Sequence, residues 1–185
     1  MKVHLVDATY ELFRFWFALP PQQAPDGREV AATRGLLSTL ISLHKNEGAT
    51  HIGCATDTVI RSFRNDLYDG YKTAEGVPPA LLAQFPLAEE GIRALGMVLW
   101  PMVEFEADDG LGAAAARLAD DPAVAQVVIA TPDKDLAQCV RGERVIMLDR
   151  IRGTTRDEAG VIARFGVAPR PIPDWCGCAR SSATS

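Results

Sequence analysis

Residues 2–14 read Lys2-Val3-His4-Leu5-Val6-Asp7-Ala8-Thr9-Tyr10-Glu11-Leu12-Phe13-Arg14. A short apolar run that ends on an aspartate and passes into an aromatic-rich stretch predicts a buried strand over 2–6, closed by Asp7, and a short helix over 8–18. The pattern recurs along the chain. Residues 51–56 predict a second strand ending at Asp57, and strands are expected again over 97–100, 126–131 and 144–148. Between them, 30–46 place Leu36, Leu37, Leu40, Ile41 and Leu43 on one helical face, with Gly48 as the stop. Residues 79–95 resume that spacing up to Gly96, 107–119 form an alanine-rich helix suited to close packing on a sheet, and 133–140 and 157–165 give shorter helices. Strands alternating with helices imply crossover connections. The expected fold class is α/β: a twisted, mostly parallel sheet flanked by helices.

Composition narrows the function classes. At 48% hydrophobic and 23% charged residues, the 185-residue chain has the balance of a folded α/β domain and excludes a disordered one. No apolar run approaches the roughly 20 residues that span a bilayer, and residues 1–7 lack signal-peptide anatomy, so a cytoplasmic location without membrane contact is expected. The net charge of −5 argues against generic binding to nucleic acid, yet it is unevenly spread: −8 over residues 1–140 and +3 over 141–185. An acidic body of this kind suits bound cations. Cys54 and Cys139 sit in apolar runs and read as core residues. Cys176-Gly177-Cys178 lies away from His4, His44 and His51 and lacks the spaced ligand pairs of a zinc site.

The placement of the acids carries the functional reading. Asp7 and Asp57 end the first two strands, Glu106, Asp108 and Asp109 follow the third, and Asp133 and Asp135 follow the fourth. In an open parallel sheet the carboxyl ends of the strands share one edge, where ligands bind. Seven carboxylates from four strand ends should converge there, and like charges at close range raise one another's pKa unless neutralised. Hard divalent cations with oxygen ligands do this, magnesium first. Two such ions about 3.5–4 Å apart form the known clamp for phosphoryl hydrolysis. Taken singly, Asp108 and Asp109 also suit a helix first turn, and Asp133 an N-cap. Asp7 alone would fit a phosphatase nucleophile, but Thr9 stands where that pattern wants a second aspartate. Between strands two and three, residues 59–77 carry Arg61, Arg64 and Lys72 with Phe63, Tyr68 and Tyr71. Arg14, Arg64 and Lys72 are candidates to hold a scissile phosphate, and the three aromatics to stack on unpaired bases.

The segments Leu5–Arg14, Asp57 with Phe63-Arg64, Tyr71-Lys72, Glu106-Ala107-Asp108-Asp109, Asp133-Lys134-Asp135-Leu136, and Phe165-Gly166-Val167 running to Ile172-Pro173-Asp174 stand in an order that resembles the 5'-nuclease superfamily. The likeness is to the bacterial 5'→3' exonuclease domain, found at the N-terminus of DNA polymerase I and as stand-alone proteins. It covers roughly residues 2–175. It implies a PIN-like core acting on DNA with 5' ends or flaps through two Mg²⁺ ions, with Mn²⁺ as substitute. Asp7, Asp57 and Asp108 would hold the first ion with Glu106 in its shell. Asp133 and Asp135 would hold the second, with Asp108 between the two and Asp109 in support. Arg64 and Lys72 would contact the reacting phosphate. Lys72 is followed by Thr73, Ala74 and Glu75, where many relatives carry an arginine.

The resemblance also divides the chain into a catalytic core over 1–175 and an atypical, disordered tail over 176–185. The family continues past this point into further metal-binding aspartates and a helix-hairpin-helix element, which this chain is expected to lack. Activity weakened by truncation is therefore one expectation. A non-catalytic remnant that binds metal or DNA is another, and a PIN-type ribonuclease a third. No protein partner is suggested.

Overall fold

The computed structural model describes residues 1–60, 62–67, 71 and 75–169. Strand β1 (Lys2–Asp7) has β2 (His51–Asp57) and then β3 (Val98–Met102) on one side, and β4 (Gln126–Ala130), β5 (Val145–Asp149) and β6 (Thr154–Arg156) on the other. The order β3-β2-β1-β4-β5-β6 is parallel through β5, and β6 alone runs antiparallel. The α/β sheet expected from the alternating pattern is the one that forms. The sequence gives no sign of β6, because Thr154-Thr155-Arg156 has no apolar residue to betray it.

The helices are α1 (Ala8–Ala18), α2 (Ala31–Asn46), α3 (Arg64–Leu67), α4 (Pro79–Leu82), α5 (Gln84–Ala94), α6 (Ala107–Ala119) and α7 (Glu158–Phe165), with a 3-10 helix at Lys134–Cys139. Where one helix is expected over 79–95, two form, broken at Ala83. Pro86 lacks the N–H that a continuous helix would direct at the Leu82 carbonyl. On α2, Leu36, Leu40 and Leu43 are fully buried, but Ile41 is 38% exposed. The buried arc runs i, i+4, i+7, and Ile41 falls to one side of it. Gly48 and Gly96, at φ +70° and +72°, make the left-handed exits after α2 and α5.

Alternation along the central strands separates two cores. Val3, Leu5, Val127 and Ile129 face α6 and α7, whereas Val6, Val128 and Ala130 face α1, α2, α4 and α5. Alanines let α6 lie close on the sheet, with Ala107, Leu111 and Ala115 buried against it. Glycine does the same between α1 and α2, where a Cβ on Gly35 would come within 2.5 Å of the Phe15 ring. At the β3 border the Met102 carbonyl accepts the Thr58 N–H at 3.0 Å, so Met102 faces β2 and its neighbour Pro101 faces the open side.

Candidate functional site

Sheet order places the site. Chain progress runs outward from β1 to β2 and β3 in one direction, then reverses to β4 and β5, so the switch point lies between β1 and β4. Ligands of open parallel sheets bind outside the carboxyl ends of strands at such a point. Register aligns those ends: Asp7 pairs with Ala55 two residues before Asp57, Asp57 pairs with Met102, and Val6 pairs with Ala130 just before Thr131. Asp7, Asp57, the start of α6 and the turn at Asp133 therefore share one edge of the sheet.

Five of the acids there have a local hydrogen-bonding task. Asp7 caps α1, accepting the Tyr10 N–H at 2.8 Å. Asp57 is 5% exposed; its carboxylate accepts the Ala107 N–H at 2.7 Å, and its own N–H donates to the Thr9 hydroxyl, also at 2.7 Å. Glu106 and Asp109 form a reciprocal capping box at the start of α6. Asp108 lies half-buried in that first turn and pushes the Cys139 thiol upward, after burial of the thiol itself, so its field reaches the 3-10 helix beyond β4. Asp133 caps that helix by accepting the Asp135 N–H at 2.9 Å.

Two of the three candidate cations are described, and both are engaged by carboxylates. The Arg64 guanidinium grips Asp109 in bidentate fashion at 3.0 and 2.8 Å, and reaches Glu106 at 3.2 Å. These contacts, the Asp109 hydrogen bond foremost, raise the Arg64 pKa. Partial burial works against ionisation of Asp109, but the Arg64 fork and the Glu106 amide outweigh it and hold the carboxyl below its usual range. The Ser62 hydroxyl donates to Glu106 at 2.6 Å. Arg14 donates through Nε to Glu11 at 3.1 Å, and Arg150 approaches the same carboxylate at 3.6 Å. Phe63 is 39% exposed and its ring stands 5.5 Å from that of Phe105, while Tyr71 is 43% exposed. Lys72, Tyr68 and Arg61 lie outside the described residues, as does the segment from Ile172 through Cys176 and Cys178 to the chain end.

Several participants escape the sequence reading. Glu89 on α5 is buried and accepts the hydroxyls of Thr56 at 2.9 Å and Thr58 at 2.6 Å, bracketing Asp57. Only the fold reveals this, since Glu89 sits 31 residues or more from either threonine. Asp149 ends β5 as Asp7 ends β1, so the strand-end rule could have found it by extending the strand one residue. It is 1% exposed and receives the amides of Ile151 and Arg152 and the Arg152 guanidinium. Glu11 and Phe105 gave no signal beyond their types.

The donor set at this edge is all oxygen, as a hard divalent cation requires. Its arrangement does not yet fit one: among the described residues no group of three or more Asp, Glu, His or Cys is gathered closely enough to hold a metal ion. Asp7, Asp57, Glu106, Asp109 and Asp133 are directed at internal donors instead.

Residues 2–166 match the family model described as 5'-3' exonuclease, N-terminal resolvase-like domain. The chain is 35% identical over 174 residues to a DNA polymerase I of Pseudomonas aeruginosa, covering 92% of this chain and 18% of that one. It is 30% identical over 174 residues to a 5'-3' exonuclease of Aquifex aeolicus, covering 94% of this chain and 59% of the relative. It thus spans under a fifth of the first relative's length and about three fifths of the second's. Among solved structures, the flap endonuclease of bacteriophage T5 in a pseudo-enzyme–product complex with DNA and metal ions superposes with a TM-score of 0.62 at 18% identity, over 90% of this chain and 61% of that one. At that identity the likeness is one of fold alone, a PIN-like sheet flanked by helices.

Proposed function

The chain belongs to the 5'-3' exonuclease, N-terminal resolvase-like domain family, and from that premise we propose that residues 1–175 form the catalytic core of a 5'-nuclease. Its substrate is DNA with 5' ends or flaps, and the reaction is hydrolysis of a phosphodiester bond. Divalent cations are required, two Mg²⁺ by preference and Mn²⁺ as substitute. What supports this reading is the strand register, which brings Asp7, Asp57, the start of α6 with Glu106, Asp108 and Asp109, and the turn with Asp133 and Asp135 toward one edge of the sheet. Such a concentration of carboxylates suits cations that in turn attract phosphate.

This chain's own residues supply the rest. Arg14, Arg64 and Lys72 are the groups proposed to meet phosphate oxygens, and Phe63, Tyr68 and Tyr71 the surfaces for unstacked bases. Asp57 fixes the start of α6 against the β2 end through the Ala107 amide, so that Asp108 is presented from a rigid turn. The internal engagement of the acids favours one second reading, a domain that binds cations or DNA without turnover.

The deciding measurement is cleavage of a 5'-labelled flap substrate, with single-stranded DNA and RNA of equal sequence beside it. Cleavage of the DNA in Mg²⁺ or Mn²⁺ and none in excess chelator is expected, with Asp108→Ala reducing it more than Arg61→Ala. Equal cleavage in excess chelator sinks the reading. Preference for RNA replaces it with a ribonuclease, and cation or DNA binding without product supports the non-catalytic alternative.

A further inference from the structure

We propose that Arg64 is a displaceable internal cation, occupying the carboxylates of Glu106 and Asp109 so that divalent-ion binding and release of Arg64 are coupled. The inference rests on the divalent-cation reading above and deepens it. The guanidinium contributes two hydrogen bonds to Asp109, at 3.0 and 2.8 Å, and an ion pair to Glu106 at 3.2 Å. Asp109 Oδ2 also receives the Glu106 amide at 3.0 Å, and Glu106 receives the Ser62 hydroxyl at 2.6 Å. These are the strong, charge-assisted contacts that a planar fork makes with carboxylates. They neutralise two acids at the start of α6, while Asp7, Asp57 and Asp133 accept backbone N–H groups of their own.

The same contacts tie one segment to another. Arg64 opens α3, whose start is braced by the Ser62 amide on the Asn65 side chain at 3.1 Å. Through Arg64 and Ser62, the stretch leading out of β2 is fastened to the start of α6. A cation that takes Glu106 must compete with both, and the coupling works in both directions: what Arg64 takes from cation affinity, a bound cation takes from the hold on Arg64. Arg64 is thus a positioning residue for the stretch after β2 when cations are scarce, and is freed to face phosphate when they bind.

The test measures Mn²⁺ binding to the full chain by calorimetry, without DNA. Arg64→Gln should bind its first Mn²⁺ about fivefold more tightly than the parent, the upper end of what partly exposed ion pairs contribute. Arg64→Lys, which keeps the charge and loses the fork, should fall between them. Arg141→Gln, whose partner Asp120 lies at the opposite end of α6, should match the parent. Equal or weaker binding by Arg64→Gln overturns the proposal, as does Arg64→Lys behaving like the parent. A second readout needs no variant: ¹⁵N NMR of the parent chain should show slowed guanidinium rotation for Arg64, and saturation with Mg²⁺ should abolish it. Persistence of that signal while ions bind overturns the coupling alone. Absence of ion binding by every chain overturns the cation reading with it.

Discussion

The Asp57 carboxylate accepts the Ala107 N–H at 2.7 Å, so one buried side chain joins the end of β2 to the first turn of α6. Removing it leaves an amide without its acceptor. Asp57→Ala should lower stability by about 1–3 kcal/mol in urea denaturation, whereas Asp57→Asn, which still offers an oxygen to Ala107, should cost less than half as much. Both should abolish DNA cleavage, because the charge is gone in each. Retained cleavage in Asp57→Asn would show that the carboxylate serves structure alone.

The seam between α1 and α2 depends on a missing methyl. A Cβ at Gly35 would stand 2.5–2.8 Å from three atoms of the Phe15 ring. Gly35→Ala is expected to cost about 1–3 kcal/mol through overpacking, read as a fall in the urea midpoint. Adding Phe15→Leu should recover part of that loss, and no recovery would locate the strain elsewhere.

His4 makes the protein sensitive to mild acid. It is 1% exposed, and burial first, then the charges of Lys2 and Arg150, push its pKa down to about 4. The unfolded chain takes up a proton near pH 6.5 and the folded chain near 4. This group's contribution to stability therefore rises with pH across that window and is flat above it. Between pH 7 and pH 5 the protein should lose about 2 kcal/mol from this group, and His4→Leu should remove that part of the slope. An unchanged slope in the variant would assign the loss to other groups.

Glu89 collects the hydroxyls on either side of Asp57, from Thr56 and Thr58. Glu89→Ala should cost about 1–3 kcal/mol, because the buried Thr56 hydroxyl loses its charged acceptor. It should also lower kcat/KM for cleavage by loosening the β2 end. Glu89→Gln, with an oxygen still in place, should lie nearer the parent in both measurements, and a drop as large as that of Glu89→Ala would point to the charge instead.

The ends of β1 and β2 are legible because their apolar runs stop on an aspartate, those of β3 and β4 because acids follow within a few residues, and parallel pairing follows from the intervening helices. Asp7, Asp57, Asp108 and Asp133 reach a common edge for that reason. Illegible from the sequence were pairings across long separations: Arg64 with Asp109, 45 residues on, and Thr58 with Glu89, 31 residues on. Spacing reports which residues share a strand or a helix face, but not which side chains meet once loops close. Arg64 read as a phosphate contact from its charge and neighbours, and only the fold gives it carboxylate partners. Ile41 and the break at Ala83 were missed for a local reason, since an apolar residue one step off the buried arc and a proline early in a helix leave the average periodicity intact.

Pro101 has a consequence for self-association. With Met102 turned toward β2, the outer rim of β3 offers its backbone through Leu99 and Pro101, and proline supplies no N–H. The opposite rim belongs to β6, three residues long. A second molecule seeking to extend the sheet finds one donor on the first side and a stub on the other. Pro101→Val should restore a pairing edge and shorten the lag before thioflavin-positive aggregates form at concentrations where the parent stays clear.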